Sequence, residues 1–262
     1  HLMGLQLSHV SARRGRAEIL KDVSATLPAG QIAGLIGPNG TGKSTLINAI
    51  ATTLPHGGSI RFHGQPVRLG EVGFMPQHCQ VRAGLSVLET VLLGRYERLG
   101  LRVAGGLIER ALQVLDSFGI AHLHERAMTA LSGGQQQLVL LAQRLIRQPR
   151  LLLLDEATSA LDIRHQMQVF DRLHEYVQAS GALVVIAIHD LNLAAQHAQT
   201  VLMLHGGHVA GCGPFDEVVT CESLRRVYGI EAEFARAPSG RTAIVPLRGC
   251  GEQQGRRPQG HG

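Results

Sequence analysis

The sequence predicts an α/β fold in which helices cover a parallel core sheet. Aromatic residues make up only 3% of the 262 residues and tryptophan is absent, so the core must be aliphatic, as is typical of parallel strands buried under helices. From Ser132 onward apolar strands alternate with helical segments, and such alternation predicts a parallel sheet. Between Ser86 and Thr129 apolar residues recur every three or four positions, which indicates a helical insertion.

The expected elements follow one another in a consistent order. Residues 5–36 read as short strands broken by turns, which predicts an N-terminal antiparallel β subdomain and an apolar strand over 31–36. A glycine-rich loop comes directly after this strand, and residues 45–54 are uninterrupted helix formers. The later elements are predicted to be a helix over 133–147, a strand over 150–154, a helix over 163–179, a strand over 182–188, a helix over 190–198 and a strand over 200–204.

One domain accounts for nearly the whole chain. It is predicted to span residues 3–248, with the helical insertion at about 86–147. Residues 249–262 are rich in Gly, Gln, Arg and Pro, lack a core-forming pattern and are expected to form a disordered basic tail. The formal net charge is +5, but the residues from Arg241 onward carry four arginines against one glutamate. The body of the protein is therefore nearly neutral, and a nucleic-acid partner is not expected.

The cysteines and the apolar segments indicate a cytoplasmic location. The four cysteines are widely spread and match neither a zinc spacing nor a paired motif, which favours free thiols in a reducing compartment. The longest apolar stretches fall far short of the roughly 20 residues that span a bilayer, and the N-terminus has no signal-peptide pattern. Any role at a membrane is therefore expected to come through a partner.

A glycine-rich loop lies between the strand over 31–36 and the helix that follows. It fits the pattern G-x-x-x-x-G-K-[ST], whose glycines let backbone N–H groups turn toward a phosphate chain. Only two of the 25 basic residues are lysines, and one of them, Lys43, lies in this loop. We therefore expect the Lys43 ammonium to contact the β- and γ-phosphates and the Ser44 hydroxyl to bind Mg²⁺. The alternative is a chance glycine turn. The residues expected to bind nucleotide here are Gly37, Pro38, Asn39, Gly40, Thr41, Gly42, Lys43, Ser44 and Thr45.

A strand of four leucines, residues 151–154, ends in two carboxylates. Ligands of parallel sheets lie at the carboxyl ends of the strands. Asp155 is therefore expected to hold Mg²⁺ directly or through water, and Glu156 to polarise the attacking water. Taken alone, this pattern fits a structural acidic turn equally well. The phosphate loop in the same chain strengthens the catalytic interpretation.

A second helix begins with a serine and two glycines. Backbone N–H groups at such a helix start can bind a phosphate. The residues of this motif that are expected to contact nucleotide are Ser132, Gly133, Gly134 and Gln135. An ordinary helix cap at Ser132 is the alternative, and the motif alone would favour it.

Three further features complete a family pattern. The sequence contains F-M-P-Q ending at Gln77, S-A-L-D ending at Asp162, and His189 after the apolar segment 182–188. With the phosphate loop, the S-G-G motif and the acidic pair, they resemble in order and spacing the ATPase subunits of ABC transporters over residues 5–248. The resemblance implies a P-loop NTPase fold of the ABC ATPase type, with ATP and Mg²⁺ as cofactors.

The resemblance also implies roles and partners. Gln77 would sense metal and water and couple to a partner, Asp162 would contact a second subunit, and His189 would contact the γ-phosphate, although such a histidine is more often a cap or core residue. In this family two ATPase domains pair head to tail, and the signature of one closes over the nucleotide of the other. The implied partners are a second copy, an integral membrane permease and, indirectly, a substrate-binding protein, at the cytoplasmic face of the bacterial inner membrane.

Three segments, at 161–166, 189–195 and 223–230, resemble the ATPase subunits of bacterial importers for ferric siderophores, haem and cobalamin, most of all the siderophore branch. The implied function is ATP hydrolysis that powers a permease importing an iron complex. Two alternatives stay open. One is the motor of an exporter or of another importer, and the other is a soluble ABC ATPase that clamps a scaffold or DNA.

The sequence departs from the family pattern at three places. Residues 8–20 contain no aromatic side chain to stack on adenine. An arginine in this stretch could stack on the base instead, which leads us to expect a weaker preference for adenine. Ala157 stands where the family commonly has proline, and Leu138 stands where an arginine usually follows the signature. Neither change removes a catalytic group.

Overall fold

The computed structural model describes residues 4–79, 81, 84–95 and 105–250 and has the predicted α/β architecture. Its strands are β1 (Leu5–Arg14), β2 (Ala17–Leu27), β3 (Gln31–Ile36), β4 (His56–Phe62), β5 (Gln65–Pro66), β6 (Val72–Met75), β7 (Leu151–Leu154), β8 (Leu183–Ala187), β9 (Thr200–His205), β10 (His208–Pro214), β11 (Ile230–Arg236) and β12 (Thr242–Gly249). Its helices are α1 (Lys43–Ile50), α2 (Val87–Leu93), α3 (Gly105–Ser117), α4 (Gly133–Leu145), α5 (Ile163–Ser180), α6 (Leu191–His197), α7 (Phe215–Val218) and α8 (Cys221–Ser223), the last running into a π-helical turn over Leu224–Tyr228.

The central sheet has the strand order β10-β9-β3-β8-β7-β6. The strands from β9 to β6 are parallel, which confirms the predicted parallel core. β7 shows how the sheet separates two apolar cores, because Leu152 and Leu154 belong to one and Leu151 and Leu153 to the other. This alternation is the one expected along any strand. β10 adds an antiparallel edge that the sequence analysis did not predict.

The predicted N-terminal antiparallel subdomain is confirmed as a sheet of order β2-β1-β4-β5. Its apolar face shares one core with α1, where Leu5 and Leu7 of the sheet belong to the same cluster as Leu46 and Ile50 of the helix. The subdomain therefore packs beside the phosphate loop, which leads directly into α1.

The helix predicted over 45–54 is wrong at both ends, since α1 begins at Lys43 and ends at Ile50. Gly42, at φ 106°, completes the turn of the loop, so the helix starts at the next residue. The chain then leaves the helical conformation at Thr52, whose φ is 61°.

The helical insertion is represented by α2, α3 and α4, whose buried side chains join one core with those of β7 and β8. α2 begins with a capping box in which Ser86 and Glu89 each accept a hydrogen bond from the other's backbone N–H. Residues 96–104 of the predicted insertion lie outside the described residues. All four cysteines are free, as predicted.

The C-terminal strands β11 and β12 form an antiparallel hairpin that the sequence analysis did not predict. Gly249 pairs with Ile230, and the Cys250 N–H donates to the Gly229 carbonyl at 2.7 Å. The first two residues of the expected tail are therefore hydrogen-bonded to the domain. The remaining residues, 251–262, lie outside the described residues.

Asn192 links this hairpin to α6 through two hydrogen bonds. Asn192 Oδ1 accepts from the Ile244 N–H at 2.7 Å, and Asn192 Nδ2 donates to the Ile244 carbonyl at 3.2 Å. Ile244 is only 5% exposed, so few other partners can reach its backbone. Because α6 starts two residues after His189, the hairpin supports the helix that follows this predicted site residue.

We expect Asn192→Ala to destabilise the protein by about 2 kcal/mol, because it leaves a buried donor and a buried acceptor unpaired. In a chain of this size the loss corresponds to a melting temperature lower by roughly 4–8 °C. Thermal unfolding followed by circular dichroism measures the effect. Gln196→Ala is the matched control, since Gln196 is an exposed residue of the same helix. Equal melting temperatures for the two variants would contradict the prediction.

Candidate functional site

The phosphate loop, residues 37–45, connects the carboxyl end of β3 to α1. Gly37 and Gly42 have φ values of 143° and 106°, in the region that favours glycine. A Cβ at Gly37 would lie 2.3 Å from the Leu204 carbonyl oxygen, and a Cβ at Gly42 would lie 2.8 Å from Leu20 Cδ2. The loop therefore needs glycine at both positions for its conformation, and at Gly37 also for space, because the atom met there belongs to the backbone.

The Lys43 side chain forms hydrogen bonds to carbonyl groups of its own loop. Its side chain is buried, and Nζ donates to the carbonyls of Gly37 at 2.6 Å and Pro38 at 2.8 Å. Burial lowers the pKa of Lys43, while the nearby carboxylates of Glu156 and Asp155 act in the opposite direction. A positive charge is thus held within the turn of backbone that faces the cleft.

Ser44 and Asp155 are two of the three residues predicted to contact the metal ion, and Gln77 is the third. Ser44 Oγ donates to Asp155 Oδ1 at 3.1 Å, and the Asp155 N–H donates to the Met75 carbonyl at 2.9 Å. Burial raises the pKa of Asp155, and the hydrogen bond from Ser44 opposes this shift. Within the described residues no cluster of His, Cys, Asp and Glu could hold a metal alone. The Ser44 hydroxyl and the Asp155 carboxylate are oxygen ligands, and Mg²⁺ commonly takes one or two such ligands from a protein and completes its shell with phosphate and water.

Glu156 lies between the other two predicted catalytic residues. Gln77 Nε2 donates to Glu156 Oε2 at 2.7 Å, and His189 Nε2 is 2.5 Å from Glu156 Oε1. These residues are 79 and 33 positions from Glu156 in the sequence. The fold therefore brings together the three side chains for which a catalytic role was predicted.

The backbone of Glu156 adopts the left-handed conformation, with φ 55°, which costs a residue with a Cβ about 1 kcal/mol. Its carbonyl accepts from Gln137 Nε2 at 3.2 Å, Ser159 Oγ at 3.0 Å and the Ser159 N–H at 3.2 Å. These bonds hold the carboxylate at the end of β7. The sequence analysis missed Gln137 and Ser159 as supports, and the run of glutamines after the S-G-G motif was the available signal.

An open cleft of about 640 Å³ unites most of these groups. Its mixture of loop backbone, ammonium, hydroxyl and carboxylate suits a polyphosphate. The lining residues are Arg14, Ile19, Asn39, Gly40, Gly42, Lys43, Ser44, Thr45, Gln77, Glu156 and His189.

The S-G-G motif does not line this cleft. Ser132 Oγ accepts from the Gln135 N–H at 3.2 Å, and Gln135 Oε1 accepts from the Ser132 N–H at 3.1 Å, so both residues cap α4. Asp162 caps α5 by accepting from the His165 N–H at 2.9 Å. Within one chain these residues act as helix caps, and their predicted contacts with nucleotide and with a second subunit stay predictions.

Two departures from the family pattern are core residues. Leu138 on α4 and Ala157 after the acidic pair are both buried in the core that contains β7 and β8. Leu138 therefore contributes apolar packing at a position where a charged side chain would need a partner.

The chain matches the model of the "ABC transporter" family over residues 20–159. It is 37% identical over 249 residues to the hemin import ATP-binding protein HmuV of Bradyrhizobium diazoefficiens, covering 89% of this chain and 91% of that protein. It is 38% identical to the protein of the same name from Bordetella avium, covering 94% and 100%.

A solved structure of an inward-facing transporter, described as a metal-chelate type ABC transporter, superposes with a TM-score of 0.82 at 29% identity. The superposition covers 95% of this chain and 98% of that chain. Fold, site geometry and relatives therefore agree on one family. The chain belongs to the ABC transporter family, as an ATP-binding subunit whose ATP hydrolysis is coupled to transport.

Proposed function

We propose that this chain powers a bacterial membrane permease that imports an iron complex. The observation that carries the ATPase part is the placement of Glu156 between Gln77 and His189, in the cleft that also contains Lys43. The substrate class is supported by relatives named for hemin import and by the metal-chelate type neighbour. Haem is the first candidate, and a ferric siderophore, favoured by the sequence segments, is the second.

The phosphate loop binds the triphosphate of ATP. Backbone N–H groups of residues 37–45 and the start of α1 face the anion, and Lys43 exchanges its bonds to loop carbonyls for bonds to phosphate oxygens. Ser44 and Asp155 would hold Mg²⁺, which supplies positive charge to the same oxygens. Held between Lys43 and the Ser44–Asp155 pair, the γ-phosphate would face Glu156.

Glu156 accepts the proton of the attacking water as a general base. Gln77 and His189 hold its two carboxylate oxygens and thereby fix the direction from which the water is activated. Because His189 Nε2 lies 2.5 Å from the Glu156 carboxylate, the imidazole would also contact a γ-phosphate held beside Glu156. The catalytic contribution of this chain is thus positioning and proton transfer, as in other phosphoryl-transfer sites.

A second copy of the chain completes the site. Ser132, Gly133, Gly134 and Gln135 lie outside their own cleft, and the capping box leaves glycine N–H groups at the start of α4 available to an anion. In a head-to-tail pair they would bind the nucleotide held by the other copy, with Asp162 at the dimer contact. Gln137 then links the signature helix to the Glu156 backbone of the same chain.

The membrane partner must supply the transport path. In the part of the chain that the structure describes, no helix has the length and apolarity to cross a bilayer. We place the subunit at the cytoplasmic face of the inner membrane, bound to an integral permease. A substrate-binding protein acts through that permease and chooses the cargo.

The test is to isolate tagged Glu156→Gln protein with MgATP from solubilised native membranes, with the nucleotide-free protein as control. A polytopic membrane protein in about one-to-one ratio supports the importer. Recovery of soluble partners or nucleic acid alone would refute transport and leave the ATPase intact. Reconstituted with its permease and binding protein, the wild type should then hydrolyse ATP faster with hemin than without it. Stimulation by a ferric siderophore instead would select the second candidate.

A further inference from the structure

The stretch of chain between Glu156 and Asp162 has a backbone that is held at both ends. Near Glu156, the N–H and the Oγ of Ser159 donate to the Glu156 carbonyl. Near α5, Gln166 Nε2 donates to the Thr158 carbonyl at 3.1 Å, and Thr158 is only 7% exposed. Because the backbone is fixed in this way, the orientation of the exposed Asp162 side chain is the main freedom that remains.

His165 restricts that freedom. Asp162 Oδ1 accepts from the His165 N–H at 2.9 Å, and His165 Nδ1 lies 2.8 Å from the same oxygen. The backbone bond and then the ring bond lower the pKa of Asp162, so the carboxylate is ionised and the ring nitrogen beside it is the donor. At α6 the corresponding cap, Asp190, accepts from two backbone N–H groups of its helix. A cap can thus be built from backbone donors, and the His165 ring adds a second constraint on the carboxylate.

Asp162 and its neighbour Ile163 present a contact surface to the outside. Both bonds from His165 reach Oδ1, so Oδ2 keeps its capacity to accept, and 66% of the Asp162 side chain is exposed. Ile163 is 78% exposed, more than any other large hydrophobic residue that the structure describes. An aimed carboxylate beside an open apolar side chain combines the apolar and the polar contacts of a protein interface.

We propose that His165 is a positioning residue for dimerisation, which fixes the Asp162 carboxylate in advance of its contact with the second copy. A side chain that is already ordered loses less conformational freedom on association, so the pair forms more readily. The inference rests on the head-to-tail pair described under the proposed function. It gives a role to the segment 161–166, which the catalytic site does not use, and it adds a residue that contacts neither nucleotide nor metal.

The experiment measures the dimer dissociation constant of the Glu156→Gln protein with MgATP by sedimentation velocity. Ordering one side chain costs about 2- to 12-fold in affinity, and a symmetric pair contains the contact twice. Adding His165→Ala should therefore raise the dissociation constant by about 5- to 100-fold. His165→Asn should stay within about threefold of the parent, because the amide Nδ2 can donate from about the position of the imidazole Nδ1. His122→Ala, at an exposed histidine of the insertion, is the matched control and should change nothing.

Two further measurements separate positioning from a general loss of stability. Asp162→Ala should weaken the dimer, and His165→Ala should add nothing to it, since the ring acts through that carboxylate. In subunits that keep Glu156, turnover per subunit of His165→Ala should be low at low protein concentration and recover as the concentration rises. The melting temperature without nucleotide and the ATP affinity of the monomer should stay at the wild-type values.

Three outcomes would overturn the proposal. These are an unchanged dimer constant in His165→Ala, additive effects of the Asp162 and His165 substitutions, or an equal weakening by His165→Ala and His165→Asn. Failure of the Glu156→Gln protein with intact His165 to dimerise in MgATP would instead refute the head-to-tail pair itself, and the inference with it.

Discussion

Glu156→Gln is expected to bind MgATP with near-normal affinity and to hydrolyse it at least about 100-fold more slowly than the wild type, the usual scale for removing a general base. The amide oxygen of glutamine can still accept from Gln77, so the side chain keeps its place at the end of β7. The substitution removes the basic oxygen beside His189, to which the water would deliver its proton. Phosphate release at saturating ATP measures the rate, and equilibrium binding measures the affinity.

Glu125→Gln provides the matched control, because the Glu125 side chain is 89% exposed and lies outside the cleft. It removes the same charge and should leave both rate and affinity unchanged. Near-normal hydrolysis by Glu156→Gln would exclude Glu156 as the base. Loss of ATP binding in that variant would show that the carboxylate contributes to binding ATP rather than to the hydrolysis step.

Lys43→Ala is expected to weaken ATP binding by about 100-fold or more, the second large effect. Two charge-assisted hydrogen bonds to phosphate oxygens, at roughly 1.5–3 kcal/mol each, correspond to a loss of this size. The same substitution leaves the Gly37 and Pro38 carbonyls without their ammonium donor. A lower melting temperature without nucleotide should therefore accompany the loss of affinity.

The chain has one other lysine, the exposed Lys21, and Lys21→Ala is the natural control. Calorimetry with MgATP and thermal unfolding without nucleotide separate binding from loop stability. Lys43→Met is a second variant that keeps the apolar stem and removes only the ammonium. ATP affinity within about threefold of wild type in both Lys43 variants would contradict a phosphate contact.

Strands with an unbroken apolar run could be predicted from the sequence. Strands that lack such a run and depend on the edge of a neighbouring strand could not. β7 is four leucines and is buried throughout, so its sequence specifies it. β10 contains two glycines and a proline, which are depleted in strands, and it forms because β9 offers an edge for pairing. β11 and β12 are largely exposed, so burial leaves little pattern in their sequences. The ends of α1 were missed because Gly42 and Thr52 set them through backbone conformation.

Local motifs identified the site residues, but only the strand order explains why they meet. Met75 of β6 is paired with Leu154 of β7, and Gln77 and Glu156 each lie two residues beyond their member of this pair. The register therefore brings an amide from one strand end to a carboxylate from the next. Neighbouring strands cannot be inferred from either motif alone. The support from Gln137 was hidden for a different reason, since a helical glutamine can face solvent or protein with the same local sequence.

The left-handed backbone at Glu156 has a consequence for how this position can change. Glycine would relieve the conformational cost, and it would do so only by discarding the carboxylate. Selection for stable folding therefore favours glycine at this position, whereas selection for ATP turnover favours glutamate. In a variant library screened for solubility alone, we expect this position to drift away from glutamate toward glycine, and the most robust survivors to be inactive.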